Sequence, residues 1–125
     1  PMLPKENSFD QSIKIQTKSI RDMLCVIAAS KMVVTTEGGV HHAASALDIK
    51  CIVIFGGRVD PNILGYENQI NLIDDRTVIT KGLKIKFPCG MFSDCEHCKK
   101  IMNEFPVNII IKEVINHYDK HRIIH

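Results

Sequence analysis

The chain has 125 residues, of which 45% are hydrophobic and 24% are charged, and its formal net charge is +2. This size and composition are typical of one globular domain with its own core, which argues against intrinsic disorder. Because the lysines are scattered and no apolar run approaches the ~20 residues of a membrane span, we expect no nucleic-acid partner and no membrane span. The polar N-terminus is unlike a signal peptide, so we expect a cytoplasmic location.

Residues 1–16 mix polar residues with isolated apolar ones, which predicts a leader or interdomain connection, with a candidate short strand at 13–15. We predict a single domain over residues 17–125. The spacing of apolar residues predicts a helix over 17–31, capped by Ser19 or Thr17. The predicted apolar side of this helix consists of Ile20, Met23, Leu24, Ile27 and Ala28.

A short apolar strand is predicted at 32–36, a helix at 40–48 and a second, fully apolar strand at 51–55. Apolar runs of this kind are typical of a parallel sheet covered on both faces, and their order predicts a right-handed βαβ unit. After a loop at 56–61, residues 68–73 are a predicted third strand near a sheet edge. The sequence therefore predicts an α/β fold with a parallel sheet and flanking helices.

The last third of the chain begins with a predicted turn at Asp74-Asp75 and marginal strands within 77–87. Two helices are predicted over 95–104 and 106–121, and Pro106 suits the first turn of the second one. The predicted apolar side of that last helix consists of Ile109, Ile110, Val114, Ile115 and Tyr118.

The stretch Glu37-Gly38-Gly39 joins the end of the first strand to the start of the next helix. Glycine lets the backbone approach a ligand without a Cβ in the way, and the N–H groups at a helix start favour negative charge. Open α/β sheets bind ligands beside the carboxyl ends of their strands, where this stretch lies. A Gly-Gly pair alone is a weak motif, so a phosphate site and a plain turn that needs glycine both remain open.

His41 and His42 lie in the first turn of this helix. Adjacent helical residues point about 100° apart, so we expect at most one of them to bind a ligand and we expect that they do not chelate one metal together. Such a histidine donates to a phosphate or is hydrogen-bonded in the packing. Glu37 accepts from sugar hydroxyls or is a solvated turn carboxylate. Arg58 would approach the same crevice if the first two strands are neighbours. Its guanidinium suits a phosphate or a carboxylate, and a surface arginine without a ligand is the commoner alternative.

Five cysteines are present. Cys25 and Cys51 lie in apolar segments, where a free thiol behaves as a small hydrophobe. Cys89, Cys95 and Cys98 are grouped, but they form only one pair with the C-x2-C spacing of a zinc knuckle, so the spacing fits zinc poorly. Reduced structural thiols are the favoured interpretation, and a zinc site and a disulfide are the alternatives.

Four stretches match the pattern of a known family. They are residues 19–23 (Ser-Ile-Arg-Asp-Met), 28–30 (Ala-Ala-Ser), 33–47 (Val-Val-Thr-Thr-Glu-Gly-Gly-Val-His-His-Ala-Ala-Ser-Ala-Leu) and 53–57 (Val-Ile-Phe-Gly-Gly). On these residues the chain resembles the C-terminal domain of glycosyltransferase family 9, the heptosyltransferase-like enzymes. The resemblance extends more loosely to Pro88-Cys89-Gly90, Cys95, Cys98 and Met102, and it covers about residues 17–118.

The resemblance implies a GT-B architecture, in which two Rossmann-like domains face a cleft, with this chain as the second, donor-binding domain. The residues that we predict to bind the substrate are Glu37, Gly38, Gly39, Val40, His41, His42 and Arg58. In the family pattern, Gly38 and Gly39 match the turn whose amides meet the diphosphate. His42 matches the motif histidine, whereas His41 falls on a variable position.

Two residues depart from the family pattern. Glu37 stands where the family usually has aspartate near the donor sugar, and Arg58 replaces a small hydroxyl residue. The implied function is transfer of a sugar from a nucleotide-diphosphate sugar to a glycan or lipopolysaccharide-type acceptor. No cofactor and no metal are assigned to the site.

The family keeps its catalytic base in the N-terminal acceptor domain, which we expect to be a partner of this domain within the same parent chain. No catalytic residue is therefore assigned here, and this segment alone is expected to bind the donor but not to transfer the sugar. The first residue, Pro1, fits a piece of a longer chain. The alternative function is a non-catalytic α/β module that binds a nucleotide or a metal.

Overall fold

The computed structural model describes residues 12–74 and 96–123, with side chains as far as residue 118. In chain order the elements are α1 (Ile20–Ala29), β1 (Val33–Thr36), α2 (Gly39–Ala46), β2 (Cys51–Phe55), α3 (Pro61–Leu64), β3 (Ile70–Ile73), α4 (Glu96–Asn103) and α5 (Val107–Ile123).

The three strands form a parallel sheet in the order β1-β2-β3. Val33 of β1 lies opposite Cys51 of β2, and Phe55 of β2 lies opposite Ile73 of β3. Helix α2 connects β1 to β2 and packs against both strands. The predicted α/β fold with a parallel sheet and flanking helices is confirmed, and the arrangement is consistent with a Rossmann-like domain.

The central strand β2 forms the middle of the core. Its residues Cys51, Ile52, Val53 and Phe55 are fully buried, as the unbroken apolar run predicts. Burial raises the pKa of the Cys51 thiol to about 11, so this thiol stays protonated and unreactive near neutral pH.

The edge strand β1 is only half buried, so the prediction that it is covered on both faces is wrong. Its residues alternate between partly buried and exposed, and Val34 is 46% exposed. Val33 packs against the core beside α2, whereas Val34 and Thr36 point to the opposite face of the sheet.

Helix α1 begins directly after Ser19, one of its two predicted caps, and its bounds, Ile20–Ala29, lie inside the predicted range 17–31. The hydroxyl of Ser19 accepts from the backbone N–H of Asp22 at 3.1 Å, and Met23 and Ile27 face the core. Ile20 is 75% exposed, which removes it from the predicted apolar side. Cys25 is exposed as well, so its predicted role as a small buried hydrophobe is wrong.

The end of α2 has the hydrogen bonds of a Schellman motif. The backbone N–H of Asp48 donates to Ser45 at 3.1 Å, and that of Ile49 donates to Ala44 at 2.9 Å. Asp48 has the left-handed φ of 55° that this motif requires. The motif turns the chain sharply, so that Ile49 packs against the core two residues before β2 begins at Cys51.

The predicted third strand and the two C-terminal helices are present as β3, α4 and α5. On α5, Ile110 and Val114 are half-buried, but Ile109, Ile115 and Tyr118 from the predicted apolar side are exposed. The candidate strand at 13–15 does not form. The turn at 74–75 and the marginal strands within 77–87 fall wholly or partly outside the described residues. Among the described helices, none combines the length and the apolar character that crossing a membrane would require.

Candidate functional site

The polypeptide turns from β1 into α2 at Glu37-Gly38-Gly39. The backbone N–H of Glu37 donates to the Ile54 carbonyl at 3.1 Å, which holds Glu37 beside the end of β2. Gly38 has φ 155° and ψ −167°, a conformation that side-chain-bearing residues rarely adopt. The predicted strand, glycine turn and helix are therefore present, and α2 starts at the carboxyl edge of the sheet.

The start of α2 lacks the side-chain cap that α1 and α3 have. Ser19 caps α1 and Asp60 caps α3, whereas the residue at the N-cap of α2 is Gly38, and within the described residues no side-chain cap hydrogen bond forms there. A Cβ atom placed on Gly38 or Gly39 would have no neighbouring atom within 4 Å. The backbone at Gly38 and Gly39 is therefore open to a ligand on the side where a Cβ atom would lie, and an uncapped helix start of this kind suits an anion.

His41 and His42 lie together, although they are adjacent on the helix. Their ring centroids are 4.0 Å apart, with 35° between the ring planes. Helical side chains point back towards the N-terminus, over the preceding turn. Because His41 and His42 are in the first turn, no helical turn lies in front of them to keep their rings apart. A ligand atom of each histidine and a carboxylate oxygen of Glu37 lie within 4.8 Å of one another. The prediction that the two side chains point to different places is therefore wrong, whereas the prediction that at most one of them binds a ligand stays a prediction.

The two histidines differ in burial and in their partners. His41 is fully buried, its ring packs edge-on against Phe55 at 5.8 Å, and its Nδ1 lies 3.2 Å from Oε1 of Gln69. His42 is partly exposed, and its Nδ1 lies 2.7 Å from the hydroxyl oxygen of Tyr66. His41 is thus held inside the domain, whereas His42 has access to a ligand.

The loop at residues 65–69 supplies site residues that the sequence analysis missed. Tyr66 meets the ring of His42 edge-on at 5.5 Å, and the buried amide of Gln69 also donates to the backbone carbonyl of His41. Asn68 makes reciprocal hydrogen bonds with Ser45 one turn further along α2. A polar glutamine directly before an apolar strand was the available signal, because such a residue is buried only when its amide is paired.

The other predicted site residues are placed as follows. The side chain of Val40 packs against the core, so only its backbone N–H is available to a ligand. Arg58 is exposed in the turn that follows β2, beyond the same edge of the sheet. Cys98 is half-buried on α4. Cys89 and Cys95 lie outside the described residues, so the alternatives for the cysteine group stay predictions.

No protein-family model matches this sequence, and neither a curated protein nor a solved structure matches the chain. The resemblance to glycosyltransferase family 9 therefore rests on the motifs quoted above.

Proposed function

We propose that this domain binds the diphosphate of a nucleotide-diphosphate sugar, as the donor-binding half of an inverting glycosyltransferase with GT-B architecture. The observation that carries the proposal is the uncapped start of α2, with open space around Gly38 and Gly39 at the carboxyl edge of a parallel sheet. The resemblance of residues 33–47 to the family pattern supports the same assignment. A glycan or lipopolysaccharide-type molecule would be the acceptor.

In this proposal the Gly38 and Gly39 amides and His42 hold the diphosphate. A diphosphate gains charge when the sugar leaves, and fixed N–H donors at a helix start stabilise that charge without reorganising. When Tyr66 donates its hydroxyl hydrogen to Nδ1 of His42, the remaining ring donor is Nε2–H, which is free to donate to a phosphate oxygen. Glu37 would accept hydrogen bonds from the sugar.

The contribution of this domain to catalysis would be positioning of the donor and stabilisation of the leaving diphosphate. The resemblance assigns the acceptor and the catalytic base to a second domain. We therefore expect donor binding by this domain alone and glycosyl transfer only by the parent protein with both domains.

Thermal-shift titration of the 125-residue chain with ADP, UDP, GDP and CDP tests the proposal. At least one of them is expected to raise the Tm in a saturable way, since a ligand at 100 times its Kd stabilises the folded state by about 2.7 kcal/mol. Gly39→Asp is expected to abolish this rise because its carboxylate repels the diphosphate. An acidic residue in a first helical turn favours the helix, so this variant should fold.

The matched control is Asn108→Asp, which adds the same charge to the first turn of α5 at an exposed residue. It should leave nucleotide binding unchanged. If none of the four nucleotides stabilises the chain, or if Gly39→Asp binds them as well as the wild type does, the donor-binding proposal is wrong.

One observation favours the alternative of a non-catalytic α/β module, namely the metal-compatible grouping of Glu37, His41 and His42. Sugar transfer by the parent protein distinguishes the two functions. Loss of transfer in Gly39→Asp, with the fold retained, would support the transferase, whereas absence of transfer from any nucleotide-diphosphate sugar would favour the module.

A further inference from the structure

The side chain of His41 contains a buried nitrogen that the donor-binding proposal does not use. The residue is 0% exposed, and within the part of the chain that the structure describes its Nε2 atom has no hydrogen-bond partner. A buried polar atom without a partner loses its hydrogen bonds to water and gains none in exchange, so native proteins rarely leave one. A ligand that bonds to this nitrogen would therefore supply the partner that it lacks.

Gln69 determines which hydrogen-bonding role this nitrogen has. The amide nitrogen of Gln69 donates to the backbone carbonyl of His41, so the amide oxygen faces Nδ1 of the same residue. Only Nδ1–H donates to that oxygen, which leaves Nε2 of a neutral ring with a free lone pair. This is the tautomer of a metal-binding histidine, whose other nitrogen donates to an oxygen acceptor.

His42 repeats this arrangement at the surface. Its Nδ1 is 2.7 Å from the Tyr66 hydroxyl oxygen, so Nε2 is again the nitrogen left for a ligand. Glu37 adds a carboxylate, and a ligand atom of each of the three residues lies within 4.8 Å of the others. Two imidazoles and one carboxylate form the three-residue ligand set of many zinc sites that keep a position open.

We propose that Glu37, His41 and His42 bind one divalent transition-metal ion, with Zn²⁺ as the best match to the ligands. Imidazole ligands suit Zn²⁺ and its neighbours, whereas Mg²⁺ and Ca²⁺ prefer oxygen ligands. Ligands around tetrahedral Zn²⁺ are about 3.3 Å apart, so ligand atoms that lie within 4.8 Å of one another have to move closer together to bind the ion. Glu37 and His42 are only partly buried and have room for this movement.

This cation site does not rest on the donor-binding proposal, because it is measured without any nucleotide and uses His41, which the diphosphate does not need. The two proposals share Glu37 and, in opposite tautomers, His42, so the experiment measures Zn²⁺ binding in the absence of nucleotide and adds Tyr66, whose hydroxyl contacts Nδ1 of His42. The result of the nucleotide titration therefore does not decide the Zn²⁺ proposal, and the result of the Zn²⁺ competition does not decide the nucleotide proposal.

The test is a competition for Zn²⁺ between the 125-residue chain and a coloured chelator. We expect one Zn²⁺ per chain. The affinity should fall at least about 100-fold in Glu37→Gln, since loss of a ligand costs more than loss of a residue that only hydrogen-bonds to a ligand. Tyr66→Phe removes only the hydroxyl next to Nδ1 of His42 and should weaken binding about 10-fold. Both residues are at least partly exposed, so both variants should fold.

Two controls separate this site from other zinc ligands. His117→Gln removes a histidine that pairs with Glu113 on α5, at 3.3 Å, and should leave Zn²⁺ affinity unchanged. The double variant Cys95→Ser/Cys98→Ser should also retain the ion, and Co²⁺ bound to the wild type should lack a thiolate charge-transfer band. The proposal is wrong if the chain binds no Zn²⁺, or if binding disappears in the cysteine variant and survives Glu37→Gln.

Discussion

Gly39 and Gly65 differ in what a side chain would meet. A Cβ atom at Gly39 would have nothing within 4 Å, whereas one at Gly65 would lie 2.4 Å from the Pro61 carbonyl oxygen and 2.7 Å from Nδ2 of Asn71. We expect Gly39→Ala to raise the unfolding free energy by about 0.4–1 kcal/mol, because alanine restricts the unfolded chain. Gly65→Ala should lower it by about 1–3 kcal/mol, because the new methyl group overlaps the backbone. Urea denaturation measures both values, and changes of the same sign would contradict this prediction.

Gly38 and Gly39 are glycines for different reasons. The backbone at Gly38 has a φ of 155°, which by itself explains a glycine there. At Gly39 neither the backbone angle nor a neighbouring atom excludes alanine, and alanine is the better helix former. Stability therefore does not explain the glycine at residue 39, whereas access of a ligand to the first N–H groups of α2 does.

At the scale of elements, Ser45 of α2 and Asn68 of the loop at 65–69 connect two segments that carry site residues. The Ser45 hydroxyl donates to Oδ1 of Asn68 at 2.9 Å, and Nδ2 of Asn68 donates back to the Ser45 carbonyl at 3.3 Å. This pair holds the loop against α2, and the same loop places Tyr66 and Gln69 beside the histidines.

A double-mutant cycle of Ser45→Ala and Asn68→Ala measures that connection. Alanine is a better helix former than serine, so the single variant partly hides the lost hydrogen bond, and the cycle cancels this effect. We expect a coupling free energy of about 0.5–1 kcal/mol by urea denaturation, typical of an exposed hydrogen bond. A coupling near zero would mean that the loop is held without this pair.

Elements with a strong local signal are predictable from the sequence, and contacts between distant segments are not. The five apolar residues of β2 predict its bounds, and Ser19 is one of the two predicted caps of α1, because both signals lie within or directly beside the element. Gln69 is 28 residues from His41, and its contact depends on the path of a polar loop that has no periodic pattern. The sequence analysis missed the contact between the two histidines because it considered only the angle of about 100° between adjacent positions. Their side chains are long enough, and lean far enough towards the helix N-terminus, for the rings to meet.

For the whole molecule, the site and the core meet on β2. Phe55 is buried in the core cluster and contacts the ring of His41, while Cys51 lies at the other end of the same strand, also within the cluster. A substitution that destabilises β2 is therefore expected to affect both the core and the candidate site, and the unfolding free energy reports on the strand that they share.

The buried thiol of Cys51 makes that overall stability depend on pH. In the folded protein its pKa is raised from 9.0 to about 11 by burial. Between these values the unfolded chain has released this proton and the folded chain has kept it. The unfolding free energy should therefore fall as the pH rises from 9 to about 11, by at most about 1.4 kcal/mol per pH unit, with no contribution from this group below pH 9.

Urea denaturation across this pH range, with the wild type and two variants, isolates the effect from other groups that titrate there. Cys51→Ala removes the buried thiol, so the difference in unfolding free energy between wild type and this variant should shrink as the pH rises above 9. Cys25→Ala removes an exposed thiol on α1 and should keep the wild-type slope. A difference between wild type and Cys51→Ala that stays constant up to pH 11 would mean that Cys51 ionises as easily in the folded state as in the unfolded one, and that water reaches the start of β2.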